Sequence, residues 1–111
     1  MEDCLFCKII KGEIPSDKVY EDELVYAFKD INPKAPVHLL IVPKKHYPTL
    51  NDLPDEEMDI IAHIHKVVKK LAAEFGVAES GYRTLINTNA EGGQVIYHVH
   101  YHLIGGRQLR A

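Results

Sequence analysis

The run His98-Val99-His100-Tyr101-His102-Leu103-Ile104 constrains the fold of this chain more than any other stretch. Histidine at every second position, with apolar or aromatic residues between, has the period of two that a β-strand imposes, because side chains at i, i+2 and i+4 share a face. Val99, Tyr101 and Leu103 are then directed into a core, and three imidazoles line the opposite side in a row about 13 Å long at ~3.3 Å per residue. Three roles compete for such a row. It is the wet face of an amphipathic strand, or a metal site, or a set of unequal chemical parts in which the middle imidazole attacks and its neighbours hold it and handle the leaving atom. The outer imidazoles stand too far apart to share one ion easily, and strict alternation is a poor product of chance. The division of labour fits best.

The remainder of the chain limits the setting. At 111 residues and 12.6 kDa, one domain spanning 1–111 is expected. Hydrophobic residues at 46% and charged residues at 26% exclude a disordered or fibrous class. Thirteen Lys and Arg against sixteen Asp and Glu leave a net charge of −3, which gives no field for gripping a polyanion, so no nucleic-acid partner is expected. No apolar run approaches the roughly 20 residues of a bilayer span, and the acidic start Met1, Glu2, Asp3 lacks a leader's basic region. A soluble, cytoplasmic protein without a membrane partner is the expectation. Cys4 and Cys7 lie too close together to staple a fold.

Element by element, Leu5, Phe6, Ile9 and Ile10 mark one face of a short helix that stops near Gly12 and cannot pass Pro15. Val19 to Glu21 and Leu24 to Lys29 read as a hairpin around an acidic turn, and Asn32 to Pro36 as a turn-rich connection. Val37 to Val42 then reads as a strand buried on both faces. Pro54 and the acids after it open a long helix that Gly76 closes, with Ile60, Ile61, Ile64, Val67, Val68, Leu71 and Phe75 on one stripe. Arg83 to Asn87 and Val95 to Ile104 complete about five strands. Hairpin-length connections argue an α+β fold with an antiparallel sheet and one short and one long helix. Between the last two strands, Gly92 and Gly93 followed by Gln94 form a candidate oxyanion cradle of backbone N–H groups.

The His98–Ile104 run resembles the signature of the histidine triad (HIT) superfamily, His-φ-His-φ-His-φ-φ with φ apolar. The likeness extends through Phe6 to Pro15, Glu21 to Pro36, His38 to His46, the long helix, Gly81 to Asn87 and Gly92 to Arg107. The ending Gly105-Gly106-Arg107-Gln108 is similar to the Hint-like nucleoside phosphoramidase branch rather than to the diadenosine-polyphosphate hydrolases. The resemblance implies a HIT-like fold and a hydrolase or transferase acting at the α-phosphate of purine nucleoside phosphoramidates or related nucleotidyl conjugates, through a nucleotidyl-histidine and without a catalytic metal. A dinucleoside polyphosphate hydrolase and a non-catalytic nucleotide- or zinc-binding module are the alternatives.

By the same resemblance His100 would attack phosphorus, the His98 carbonyl would fix the proton on the far nitrogen of His100, His102 would contact the leaving or bridging group, and His38 would support the row. Asp30 would accept the ribose hydroxyls. Leu5, Phe6, Ile9, Phe28, Ile31 and Leu40 would wall the base pocket, and Asn87, Gly93, Gln94 and the Val95 amide would meet phosphate. Several Hint-like members have serine where Val95 stands, so an altered leaving-group preference is expected. Family members with this amino-terminal stretch hold zinc through the residues equivalent to Cys4, Cys7, His46 and His98, which implies a possible structural zinc here; two free thiols are the alternative. The resemblance also implies a homodimer, with sheets joined edge to edge. His63 and His65, at the margins of the helix stripe, are read as solvated edge residues.

Overall fold

A computed structural model describes residues 3–111; Met1 and Glu2, the first two positions of the acidic start, lie outside the described residues. Helix α1 (Leu5–Ile10) is followed by strands β1 (Lys18–Glu21), β2 (Val25–Lys29) and β3 (Val37–Pro43), helix α2 (Asp59–Glu74), and strands β4 (Tyr82–Ile86) and β5 (Tyr101–Gly105). The five strands form one antiparallel sheet in the order β1-β2-β3-β5-β4. This is the expected α+β architecture.

Alternation along β3 and β5 divides the interior. Leu39, Ile41, Tyr101 and Leu103 face α2, where they bury Ile64, Val67, Val68 and Leu71. Leu40 and Val42 face the other way, onto Phe6 and Ile9 of α1 and onto Tyr26 and Phe28 of β2. Strand β3 is thus covered on both sides, which explains its unbroken apolar reading. Helix α2 ends in paired closing bonds, Val77 N–H to Ala72 O at 2.9 Å and Gly76 N–H to Ala73 O at 3.2 Å, with Gly76 at φ +74°. That geometry favours glycine and stops the helix where expected. Among the described residues no helix is long and apolar enough to cross a membrane.

Two boundaries differ from expectation. The stretch after Pro54 forms a separate 3₁₀ turn, Asp55–Glu57, and the α-helix begins only at Asp59. Glu57 is drawn out of helical service by Lys45 Nζ at 2.8 Å and by the Tyr47 hydroxyl. Likewise the strand expected over Val95–Ile104 is paired only from Tyr101. In the β3–β5 register Ile41 faces Tyr101, so two residues further Val99 would face Pro43, which has no N–H to give. On the other side β4 ends at Ile86, ahead of Asn89 at φ +63°. The ladder therefore ends one residue after His100. Val99 N–H bonds the Tyr47 carbonyl instead, at 2.8 Å.

Candidate active site

His98, His100 and His102 keep to one side although only His102 stands on a paired strand. Phe6 meets the rings of both His98 and His100 edge-on, with centroids 5.9 and 5.1 Å away, while Val99 turns to the opposite side against Tyr47 and Leu53. The rings of His100 and His102 lie 5.1 Å apart, and those of His102 and His38 5.2 Å. β3 delivers His38 beside β5 because His38 pairs in register with Ile104, two residues beyond His102.

Backbone contacts settle which ring nitrogens carry protons. His100 Nδ1 lies 2.8 Å from the His98 carbonyl, an acceptor only, so Nδ1 bears the hydrogen and Nε2 of the neutral ring keeps a lone pair. The Lys34 N–H donates to His38 Nδ1 at 3.0 Å, which places the His38 proton on Nε2. That nitrogen lies 2.9 Å from His102 Nδ1 and 3.4 Å from Asp30 Oδ2. His102 Nδ1 is therefore the acceptor, and its own proton sits on Nε2. Burial lowers the pKa of all three rings. His102 falls to about 4, with the neighbouring His100 and His38 adding to the effect; in all three rings the Asp30 carboxylate works against it. Neutral imidazoles are the favoured forms near pH 7.

Beside the histidine row Phe6, Ile9, Phe28 and Leu40 form one buried apolar wall. Leu5 at 40% and Ile31 at 90% exposure both stand outside that wall, against expectation. Asp30 follows β2 directly, its Oδ1 held by the Asn32 N–H at 2.8 Å. The glycine cradle takes a different form from the one expected. The Gly92, Gly93 and Gln94 N–H groups close a 3₁₀ turn onto Asn89 and Ala90, and the buried Gln94 side chain bonds the Asn89 N–H and the Pro48 and Ile96 carbonyls. Gln94 builds the loop and has no donor left for a ligand. Val95 is 85% exposed, and its N–H has no partner among the described residues. Asn87 lies beneath Gly93, where a Cβ would stand 3.9 Å from its Nδ2.

Two groups among the described residues bring three or more metal-ligating atoms within 4.8 Å of one another. Asp30, His38 and His102 form one, but the Lys34 amide occupies Nδ1 of His38 and so leaves the proton on the nitrogen that a cation would need. Cys4, Cys7, His46 and His98 form the other, with the opposite wiring. Buried His98 sits with its Nε2 2.8 Å from the Pro43 carbonyl, so the proton points outward and Nδ1 is bare toward the cluster. Its Nδ1 lies 3.2 Å from Cys4 Sγ, 3.6 Å from Cys7 Sγ and 3.2 Å from His46 Nδ1, and Cys7 Sγ lies 3.4 Å from His46 Nδ1. A tetrahedron with Zn–S near 2.3 Å and Zn–N near 2.0–2.1 Å sets its ligand atoms ~3.3–3.8 Å apart, which these four separations meet to within about 0.1 Å, so the set fits zinc. The signals missed in sequence were backbone groups, the Lys34 amide and the Pro43 carbonyl, each placed by a proline in or beside its own segment.

A five-stranded sheet with one long helix and a row of adjacent imidazoles defines the class as a HIT-like α+β protein. The HIT domain family model matches residues 11–109. The purine nucleoside phosphoramidase of Escherichia coli (strain K12) is 51% identical over 108 residues, covering 97% of this chain and 91% of that protein. A histidine triad protein from Clostridium difficile superposes with a TM-score of 0.98 at 54% identity, covering 100% of this chain and 96% of the other. A HIT family hydrolase from Legionella pneumophila Philadelphia 1 does so with 0.95 at 53% identity, covering 97% and 96%. The chain belongs to the HIT family, and its class is that of the HIT-family hydrolases.

Proposed function

We propose that this protein hydrolyses purine nucleoside phosphoramidates, or closely related nucleotidyl conjugates, at the α-phosphate through a covalent nucleotidyl-histidine on Nε2 of His100. The observation that carries this reading is the 2.8 Å contact from His100 Nδ1 to the His98 carbonyl, which leaves Nε2 as a bare nucleophile. The likeness to a relative named purine nucleoside phosphoramidase supports the substrate class.

In the first step Nε2 bonds to phosphorus, the P–N bond breaks, and the departing amine takes one proton from solvent. In the second, water bonds to phosphorus, Nε2 departs, and one proton returns to solvent. One water is consumed and no other reactant is needed. His102 Nε2–H serves as a hydrogen-bond donor to the leaving or bridging atom. Asp30 takes the ribose hydroxyls, which suits a carboxylate with free lone pairs. Phe6, Ile9, Phe28 and Leu40 take the base, and the Val95 N–H meets a phosphate oxygen. Cys4, Cys7, His46 and His98 would hold a structural zinc whose chemistry is confined to tying α1 to the histidine row. A reducing compartment such as the cytoplasm suits those thiols. Strand β4, at the sheet edge, offers the surface for a homodimer.

The test is incubation with adenosine 5′-phosphoramidate and, in parallel, with a diadenosine polyphosphate, with mass spectrometry of the protein. A nucleotidyl adduct on His100 is expected, with the phosphoramidate turned over faster. His100→Gly should lose at least ~10³-fold in kcat and still bind adenosine 5′-monophosphate. Retained turnover in that variant, or preference for the polyphosphate, overturns the reading.

A further inference from the structure

The Gly105-Gly106-Arg107-Gln108 ending and the loop bracketed by Pro33 and Pro36 have no part in the reaction above, yet they meet. Gly106, at φ +92°, passes so close to Pro36 that an added Cβ would stand 3.0 Å from the proline Cβ and 3.4 Å from the Val37 nitrogen. That approach is open only to glycine. The next residue, Arg107, donates from Nη2 to the Lys34 carbonyl at 2.7 Å. Lys34 is the residue whose N–H fixes His38, and His38 in turn fixes His102.

We propose that Arg107 is a positioning residue: by holding the Lys34 carbonyl it keeps the Lys34 amide on His38 Nδ1, and so keeps His102 as an Nε2–H donor toward the leaving group. The role toward the leaving group rests on the function proposed above; the fixing of the two rings does not. A neutral histidine pair has two ways to share its protons, and the reversed one, with Nε2 of His102 bare, would present a lone pair where the departing atom needs a donor. Lone pairs would then face each other at the leaving atom. The Lys34 N–H forbids that arrangement as long as its loop stays in place. Pro33 and Pro36 stiffen the loop from within, and Gly106 with Arg107 brace it from outside.

The experiment has an arm that does not depend on turnover. Imidazole ¹⁵N correlation spectra of the wild type should show His38 and His102 each protonated at Nε2 and bare at Nδ1. In Arg107→Met the single tautomer of His102 should give way to a mixture. Its kcat for adenosine 5′-phosphoramidate should fall about tenfold, a fraction of the roughly 10²–10⁴ that a positioned proton-handling group contributes, while KM stays within about twofold. Arg107→Lys, which keeps a donor for the Lys34 carbonyl, should restore both readouts. Lys34→Pro, which removes the N–H and keeps the carbonyl, should reproduce the Arg107→Met result. Wild-type tautomers or wild-type kcat in Arg107→Met overturn the proposal, as they do in Lys34→Pro. If the wild type turns over no phosphoramidate while the variants still scramble His102, the proposed function falls and the positioning of the rings stands.

Discussion

His98 has both ring nitrogens and its carbonyl committed: Nε2 to the Pro43 carbonyl, Nδ1 to the thiol cluster, and the carbonyl to His100. Burial lowers its pKa to about 4, and burial with the neighbouring Cys4 pushes the Cys7 thiol up to about 11. The neutral ring is already the ligating form of His98, and a dication among these groups would favour the Cys7 thiolate and offset the cost of deprotonating it. Protein purified without chelator should therefore hold about one zinc per chain, and stripping it should lower the melting temperature. Metal analysis giving under ~0.1 equivalent would exclude the site. His102 gives a pH dependence with a definite sign. Its folded pKa of about 4 lies below the unfolded value of ~6.5, so the folded state binds fewer protons between them. The associated stability is complete above about pH 6.5 and is lost as pH falls toward 4. Urea midpoints should drop across that window, and His102→Asn should flatten the drop; an equal slope in both proteins would refute it. At this scale the alternation alone revealed which imidazoles share a side. Their proton positions stayed hidden because Lys34 and Pro43 act through main-chain atoms, which every residue type supplies.

Among the elements, α2 was the most legible and β5 the least. A stripe of seven apolar residues with a closing glycine leaves one solution, whereas the length of β5 depends on partners distant in sequence: Pro43 on one neighbour and the Asn89 turn after the other. Alternation reports side-chain direction, which persists after the hydrogen-bond ladder has stopped. The β1–β2 turn shows a further tie absent from the sequence reading. Asp22 accepts from the Leu24 and Val25 amides at 2.8 and 2.9 Å, from Tyr20 at 2.8 Å, and meets His63 of α2 at 2.7 Å. Burial works against its charge, but hydrogen bonds from Tyr20, His63 and the two amides outweigh it and hold the carboxyl well below the usual range. His63, read as a solvated edge residue, thus ties helix to hairpin. Asp22→Ala should cost about 1–3 kcal/mol in chemical denaturation with little change in kcat, since the tie lies apart from the histidine row. A cost below about 0.5 kcal/mol would show that water replaces these bonds.

At the scale of the whole molecule, assembly turns on the free edge of the sheet. β4 pairs on one side only, and half-buried Ile60 and Ile61 of α2 carry apolar surface beyond the main core. Sedimentation should return a dimer mass at micromolar concentration, and a monomer at every concentration tested would reject the homodimer. The fold was readable because each strand and helix has its own period; a partner surface has none. The end of the ladder at Tyr101 has a broader meaning for how such a molecule can change. Beyond that residue three strands grip one another like planks in a hull, and little can be altered without springing the seam. Ahead of it the His100 ring rides on a short prow fastened at a few points. Evolution can recarve that prow for new cargo and leave the hull alone.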